Sequence, residues 1–161
     1  GEPLRQQVVP LIVALDDAGY YTQVETAGTV WPDGLEDAVK AGAVELVCSP
    51  KTKKIHPMVE KMCHHFKYII RKGETSALDG LPVMSTQLAG HRGELHHPSD
   101  PAATIWVQPC FEYWGDRSAD PTCPNPRATQ TNIEECVRIA MIYGYRLSIQ
   151  LHKLPGINHL E

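Results

Sequence analysis

The sequence predicts an α/β domain built on a mostly parallel sheet, and three observations carry that reading. Short apolar runs alternate with helical patterns along the chain, the order that gives parallel strands joined by crossovers. The run Val44-Glu45-Leu46-Val47-Cys48 is nearly continuous in apolar residues, as expected of a strand covered by helices. Four such runs end in polar residues. Val24 leads into Glu25-Thr26-Ala27-Gly28-Thr29, Cys48 into Ser49-Pro50-Lys51, Val107 into Gln108-Pro109, and Ile149 into Gln150, His152 and Lys153. Ligands of α/β folds collect at the carboxyl ends of the strands. Four polar endings therefore predict one rim gathered around one ligand.

Each element has its own justification. Gly1-Glu2-Pro3 opens the chain with no strand before it, so a further piece of the domain is expected ahead of residue 1. Val8, Leu11, Ile12 and Leu15 keep helical spacing and predict a helix over Leu4–Ala18, kinked at Pro10 and stopped by Gly19. Tyr20–Thr26 reads as the first strand. Gly34–Ala41 is a short helix after the turn Trp31-Pro32-Asp33-Gly34. The strand Val44–Cys48, a helix from Lys54 or Ile55 to His65, and the strand Lys67–Ile70 follow. Gly80 and Pro82 argue against one long helix over Thr75–Ala89, and Gly90–Ala103, with His91, His96 and His97, reads as a solvated loop. Thr104–Val107 is the fourth strand. The proline-rich stretch Phe111–Thr131 exceeds an ordinary connection and reads as a lid or an excursion around the rim. Asn132 with Glu135 makes a capping-box pattern, which predicts a helix start there with Ile133, Val137, Ala140 and Met141 buried. Gly144 ends it, and Tyr145–Leu151 is the last strand.

Composition narrows the function classes. The chain has 161 residues, 42% of them hydrophobic, which is one domain's length with a real core. A net charge of −4 and no basic stripe argue against nucleic acid, since Lys51-Thr52-Lys53-Lys54 is too short to form one. No apolar run approaches the roughly 18 residues of a membrane span, and no signal peptide is read, so a soluble, cytoplasmic protein is expected. Five cysteines without a CxxC pair disfavour a disulfide framework and a zinc ribbon. Cys48 and Cys136 fall in apolar patterns and read as core. The side chains of Cys63-His64-His65 diverge on a helix and cannot meet at one ion.

The strand endings also carry a resemblance. Gly1-Glu2-Pro3-Leu4 is similar to the second half of the Gly-Gly-Glu-Pro motif of radical S-adenosylmethionine enzymes. Glu25-Thr26-Ala27-Gly28-Thr29 is similar to their Glu-Thr-x-Gly-Thr segment. Ser49-Pro50-Lys51, Gln108-Pro109, Tyr145–Lys153 and Gly156-Ile157 continue the series in order. From Gly1 to about Asn158 the chain resembles the 7-carboxy-7-deazaguanine synthases of that superfamily, which serve queuosine biosynthesis.

That resemblance implies a partial β/α barrel, its mostly parallel curved sheet covered by helices on the outer face, with the cluster-binding part absent. It implies a lyase reaction, 6-carboxy-5,6,7,8-tetrahydropterin to 7-carboxy-7-deazaguanine with loss of ammonia. The cofactors it implies are S-adenosylmethionine, a [4Fe-4S] cluster and Mg²⁺, and the assembly a homodimer. Carried over by position, Gly1, Glu2, Thr26, Ser49, Pro50, Lys51, Gln108, Pro109, Cys110 and Phe111 would bind the cofactor. His152 and Asn158 would meet the substrate, Asn158 in the role of a terminal carboxylate, although His159-Leu160-Glu161 follow it and Leu160-Glu161 reads as a cloning remnant. None of the five cysteines has the close spacing that cluster ligation requires, so the chain alone is expected to be inactive. As a rim carboxylate Glu2 is expected to matter for affinity and little for stability. Two other readings stand beside this one. A non-catalytic nucleotide-binding module would keep the half-barrel without a cluster. An unrelated hydrolase or transferase is disfavoured by the lack of a Gly-x-Ser-x-Gly elbow or a phosphate-binding glycine loop.

Overall fold

The computed structural model describes residues 1–85, 93–114 and 123–153, His152 by its backbone only. Five strands, β1 (Gln23–Thr26), β2 (Glu45–Cys48), β3 (His65–Ile70), β4 (Thr104–Pro109) and β5 (Arg146–Leu147), form one sheet in that order. Every neighbouring pair is parallel. Helices α1 (Val9–Asp17), α2 (Leu35–Lys40), α3 (Pro57–Met62) and α4 (Pro126–Tyr143) connect or flank the strands. An open parallel sheet with this helix pattern is compatible with a partial barrel.

Strand alternation decides which face is covered. Val24, Leu46, Cys48, Phe66, Tyr68, Ile70, Ile105 and Val107 share one parity and join Ile12, Leu35, Val59, Cys136 and Ile139 in a single core. The opposite parity carries the polar residues, together with Val47, Ile69 and Trp106. Gln23 donates to Glu45, which pairs with His65; Lys67 pairs with Glu25; the Arg146 guanidinium lies 5.3 Å from the Trp106 ring centroid. The helices therefore cover one face, and the other carries a charged row that ends near the strand tips. In β2 both parities are buried over Leu46, Val47 and Cys48, as its near-continuous apolar run suggested.

Several element boundaries differ from expectation, and in two helices the reason is local. The first predicted helix is two pieces, a 3-10 turn Pro3–Arg5 and then α1, and Pro10 stands in the first turn of α1, where a missing N–H costs little. No kink is needed. α4 begins at Pro126, two turns earlier than predicted, and Asn125 caps it through a bond from the Ala128 N–H at 3.1 Å. Asn132 is inside the helix. The buried stripe is Thr129, Asn132, Cys136 and Ile139, while Val137 is 38% and Met141 81% exposed.

The loop after β3 is anchored. His97 pairs with Asp79 at 2.7 Å, His96 pairs with Glu60, and the Tyr68 hydroxyl donates to the His96 carbonyl. This corrects the reading of a solvated loop for His96 and His97; His91 lies outside the described residues. Gly80 packs where a Cβ would fall 2.5 Å from the Tyr143 ring.

Candidate functional site at the strand tips

Glu2 is held by the tip of β1. Its Oε1 accepts from Thr26 Oγ1 at 2.8 Å and from the Leu4 N–H at 3.2 Å, and its Oε2 accepts from the Ala27 N–H at 2.7 Å. Thr26 Oγ1 in turn accepts from the Gly28 N–H at 3.0 Å. Gly28 is required at its place. Its φ is +77°, and a Cβ there would lie 2.7 Å from Cys48 Sγ. The sequence Glu-Thr-Ala-Gly thus folds a strand end back under the carboxylate of Glu2.

The cavity beside Glu2 holds about 420 Å³ and is lined by Gly1, Glu2, Glu25, Thr26, Ser49, Lys51, Lys67, Gln108 and Gln150 among others. Residues from the tips of β1, β2 and β4 and from beyond β5 therefore meet in one place, as the rim reading required. The Lys51 amine donates to Ser49 Oγ at 3.1 Å. Burial and the nearby Lys67 charge hold that amine below the usual lysine range, against the opposing pull of Glu25. Two carboxylates and two amines lie within one polar hollow, a charge set suited to a zwitterionic ligand. The sequence reading placed Glu25 in a polar strand ending without giving it a role, and missed Lys67 and Ile69 as lining residues. The signal was available in the period of β3, where Lys67 and Ile69 have the opposite parity to buried Phe66, Tyr68 and Ile70.

The tip of β4 divides its residues between two places. Gln108, 7% exposed, faces the first cavity, and Pro109 is buried at the strand end. Cys110 lies by Arg71, whose Nη2 is 3.5 Å from its Sγ. Burial raises the Cys110 thiol, and Glu112 adds to the shift while Arg71 opposes it. Phe111 lines a second, more apolar cavity of about 590 Å³ with Tyr113, Pro126, Arg127, Ile133 and Lys153, whose amine lies 5.3 Å from the Phe111 ring centroid. Cys110 and Phe111 therefore do not join Glu2 and Gln108. Pro50 lines a shallow pocket between Lys51 and Ser85. The side chain of His152, and Asn158 altogether, lie outside the described residues.

Comparison with known proteins finds relatives for this chain. The chain matches no protein-family model. It is 39% identical over 157 residues, 98% of its length, to the 7-carboxy-7-deazaguanine synthase of Rhodospirillum rubrum. The chain is a partial homologue of 7-carboxy-7-deazaguanine synthase. It spans 62% of that relative. The Aquifex aeolicus 7-carboxy-7-deazaguanine synthase is 34% identical over 76 residues, which are 45% of this chain and 34% of that one. The fold agrees with the crystal structure of QueE from Escherichia coli, at TM-score 0.54 and 19% identity, covering 93% of this chain and 54% of that one.

The cysteines divide clearly by burial. Cys48, Cys63 and Cys136 are buried in the core, and burial pushes their thiols up, Cys136 to about 12. The Cys63 thiol lies 3.1 Å from the His65 carbonyl oxygen and 3.3 Å from that of Leu46, and its one S–H donates to either. Iron–sulfur ligands are accessible thiolates, and these three do not fit that role. Glu2 leaves room for one further donor, such as an ammonium group, at the cavity. An ionised carboxylate offers about four acceptor positions, and Glu2, on the cavity wall, has three described donors.

Proposed function

We propose that this chain is the carboxyl-terminal portion of a radical S-adenosylmethionine 7-carboxy-7-deazaguanine synthase. The complete protein, a carbon–nitrogen lyase, converts 6-carboxy-5,6,7,8-tetrahydropterin to 7-carboxy-7-deazaguanine in 7-deazapurine biosynthesis. The observation that carries the reading is the convergence of Glu2, Thr26, Ser49, Lys51 and Gln108 on one cavity at the strand tips. The chain that carries them is 39% identical over 98% of its length to a named synthase. Glu2 receives the methionyl ammonium of S-adenosylmethionine, and Lys51 its carboxylate, each as a charge-assisted hydrogen bond. Ser49 positions the Lys51 amine, and Gln108 lines the side of the cavity nearest β4. Bound S-adenosylmethionine supplies the radical initiator once a cluster provides the electron. The cluster and Mg²⁺ are held by residues outside this segment. The protein works as a cytoplasmic homodimer on a small pterin, with neither nucleic acid nor membrane as partner. Among the described residues no helix is long and apolar enough to cross a membrane.

A non-catalytic module is the second reading, and the core placement of three cysteines is compatible with it. One experiment separates the two. The complete protein is reconstituted anaerobically with iron and sulfide, reduced, and given S-adenosylmethionine, Mg²⁺ and the carboxylated tetrahydropterin. Formation of 7-carboxy-7-deazaguanine, followed by mass spectrometry, supports the synthase. S-adenosylmethionine binding without a cluster or turnover supports the module.

A further inference from the structure

Asn132 is a buried polar residue that the cavity does not explain. It stands in the middle of α4 at 3% exposure, and its side-chain partners lie on other elements. Oδ1 accepts from the Lys72 N–H at 2.9 Å, and Nδ2 donates to the Cys110 carbonyl at 2.9 Å and to Glu112 Oε1 at 3.2 Å. The partners fix the amide's orientation, because only its oxygen can meet an N–H and only its nitrogen can serve two acceptors. Lys72 follows β3 and Cys110 follows β4, and the Cys110 N–H already donates to the Ile70 carbonyl at 2.8 Å. The side-chain amide is thus an extra rung beyond the last rung of the β3–β4 ladder. Arg71 braces it, with Nε 2.6 Å from Glu112 Oε1. Glu112 is fixed again through its N–H to Thr129 Oγ1 at 3.0 Å. Packing alone would be served by an apolar residue, and a buried amide is costly unless hydrogen-bonded, so the rung is a specific device.

We propose that Asn132 is a positioning residue for the ligand site. By holding the Cys110 carbonyl and the Glu112 carboxylate, it sets the path of residues 108–112. That path keeps Gln108 in the first cavity and turns Phe111 into the second. The ligand-binding part of this inference rests on the reading of the first cavity as an S-adenosylmethionine site.

Asn132→Asp tests it in the complete protein. The substitution keeps an acceptor for the Lys72 N–H, removes the donor to Cys110 and sets a carboxylate against Glu112. Hydrogen exchange should quicken in a peptide spanning 108–112 and stay unchanged in one spanning 45–48. Affinity for S-adenosylmethionine, by calorimetric titration, should fall tenfold or more while circular dichroism shows the same fold. Glu112→Gln reaches the same clamp from its more accessible end and serves if Asn132→Asp does not fold; the same exchange pattern and a several-fold affinity loss are expected. Unchanged exchange at 108–112 in a folded variant overturns the proposal, and so does quickened exchange with full affinity. A wild-type protein that does not bind S-adenosylmethionine overturns the reading of the cavity, and exchange at 108–112 alone then supports or overturns the positioning role.

Discussion

Glu2 and Lys51 face the same cavity with different attachments, and the difference separates what their replacement would do. Glu2 is tied to Leu4, Thr26 and Ala27, so it holds the opening turn on β1 as well as lining the site. The expectation that a rim carboxylate matters little for stability is revised on that geometry. In Glu2→Gln one oxygen becomes an NH₂ facing an N–H or a hydroxyl. Hydrogen bonds to charged groups are worth roughly 1.5–3 kcal/mol, and about 1 kcal/mol shifts the melting temperature of a protein this size by roughly 2–4 °C. A loss of several degrees in a thermal melt is expected, together with weaker S-adenosylmethionine binding by titration. Lys51 should show itself through its proton. Burial and Lys67 depress its pKa in the fold, so in the window below the ordinary lysine value the unfolded chain binds more protons than the native one. Stability then rises with pH through that window, and the cost of the buried charge is present in full below it. Competitive acetylation at rising pH should label Lys51 before Lys40, whose pKa is raised by Glu36. Labelling in the reverse order, with Lys51 accessible to the reagent, would remove the electrostatic argument.

At the scale of elements, the turn after β1 is the part least able to change. Gly28 combines a left-handed backbone with a contact that leaves no room for a Cβ. Left-handed geometry costs an L-residue roughly 1–2 kcal/mol, and overpacking typically adds about 1–3 kcal/mol. Gly28→Ala should therefore lower unfolding free energy by roughly 2–5 kcal/mol, read from denaturant midpoints at constant slope. A near-neutral result would mean that β2 moves away from the turn, which a loss of the Ser49 N–H to Thr26 carbonyl bond would report. The helices show how alike a cap and an interior residue look in sequence. Asn125 before Pro126 is the true start of α4, whereas Asn132 with Glu135 copies the pattern of a start two turns later. The prolines of the preceding stretch argued for loop, yet Pro126 opens a helix, and Pro10, read as a kink, sits in the first turn of α1.

For the molecule as a whole, the sheet separates an apolar core from a charged face, and the site lies where that face meets the strand ends. The cysteines are divided by the same layering, three of the five on the core side. The isolated 161-residue chain, given iron and sulfide under reducing conditions, should form no stable [4Fe-4S] cluster and should not cleave S-adenosylmethionine. Absorbance in the cluster region after desalting measures the first, and chromatography of the nucleoside product the second. A stable cluster on this chain would assign iron to Cys110 or Cys123, the two cysteines outside the core.

The sequence by itself determined the kind of fold and much of the rim. Periodicity is local, so the five strands and their alternation with helices could be read from neighbouring residues. The polar endings at Thr26, Ser49, Lys51 and Gln108 were legible because each directly follows an apolar run, and the glycine at position 28 because a turn at a strand end needs one. Tertiary structure decided what depends on partners far along the chain. Glu2 became structural only when β1, more than twenty residues on, supplied its donors. Cys110 and Phe111 left the rim because Asn132 and Arg71 hold the chain that carries them. Glu25 and Lys67 entered the cavity because the helices cover the other face, and a strand's own alternation gives two faces without saying which one is covered.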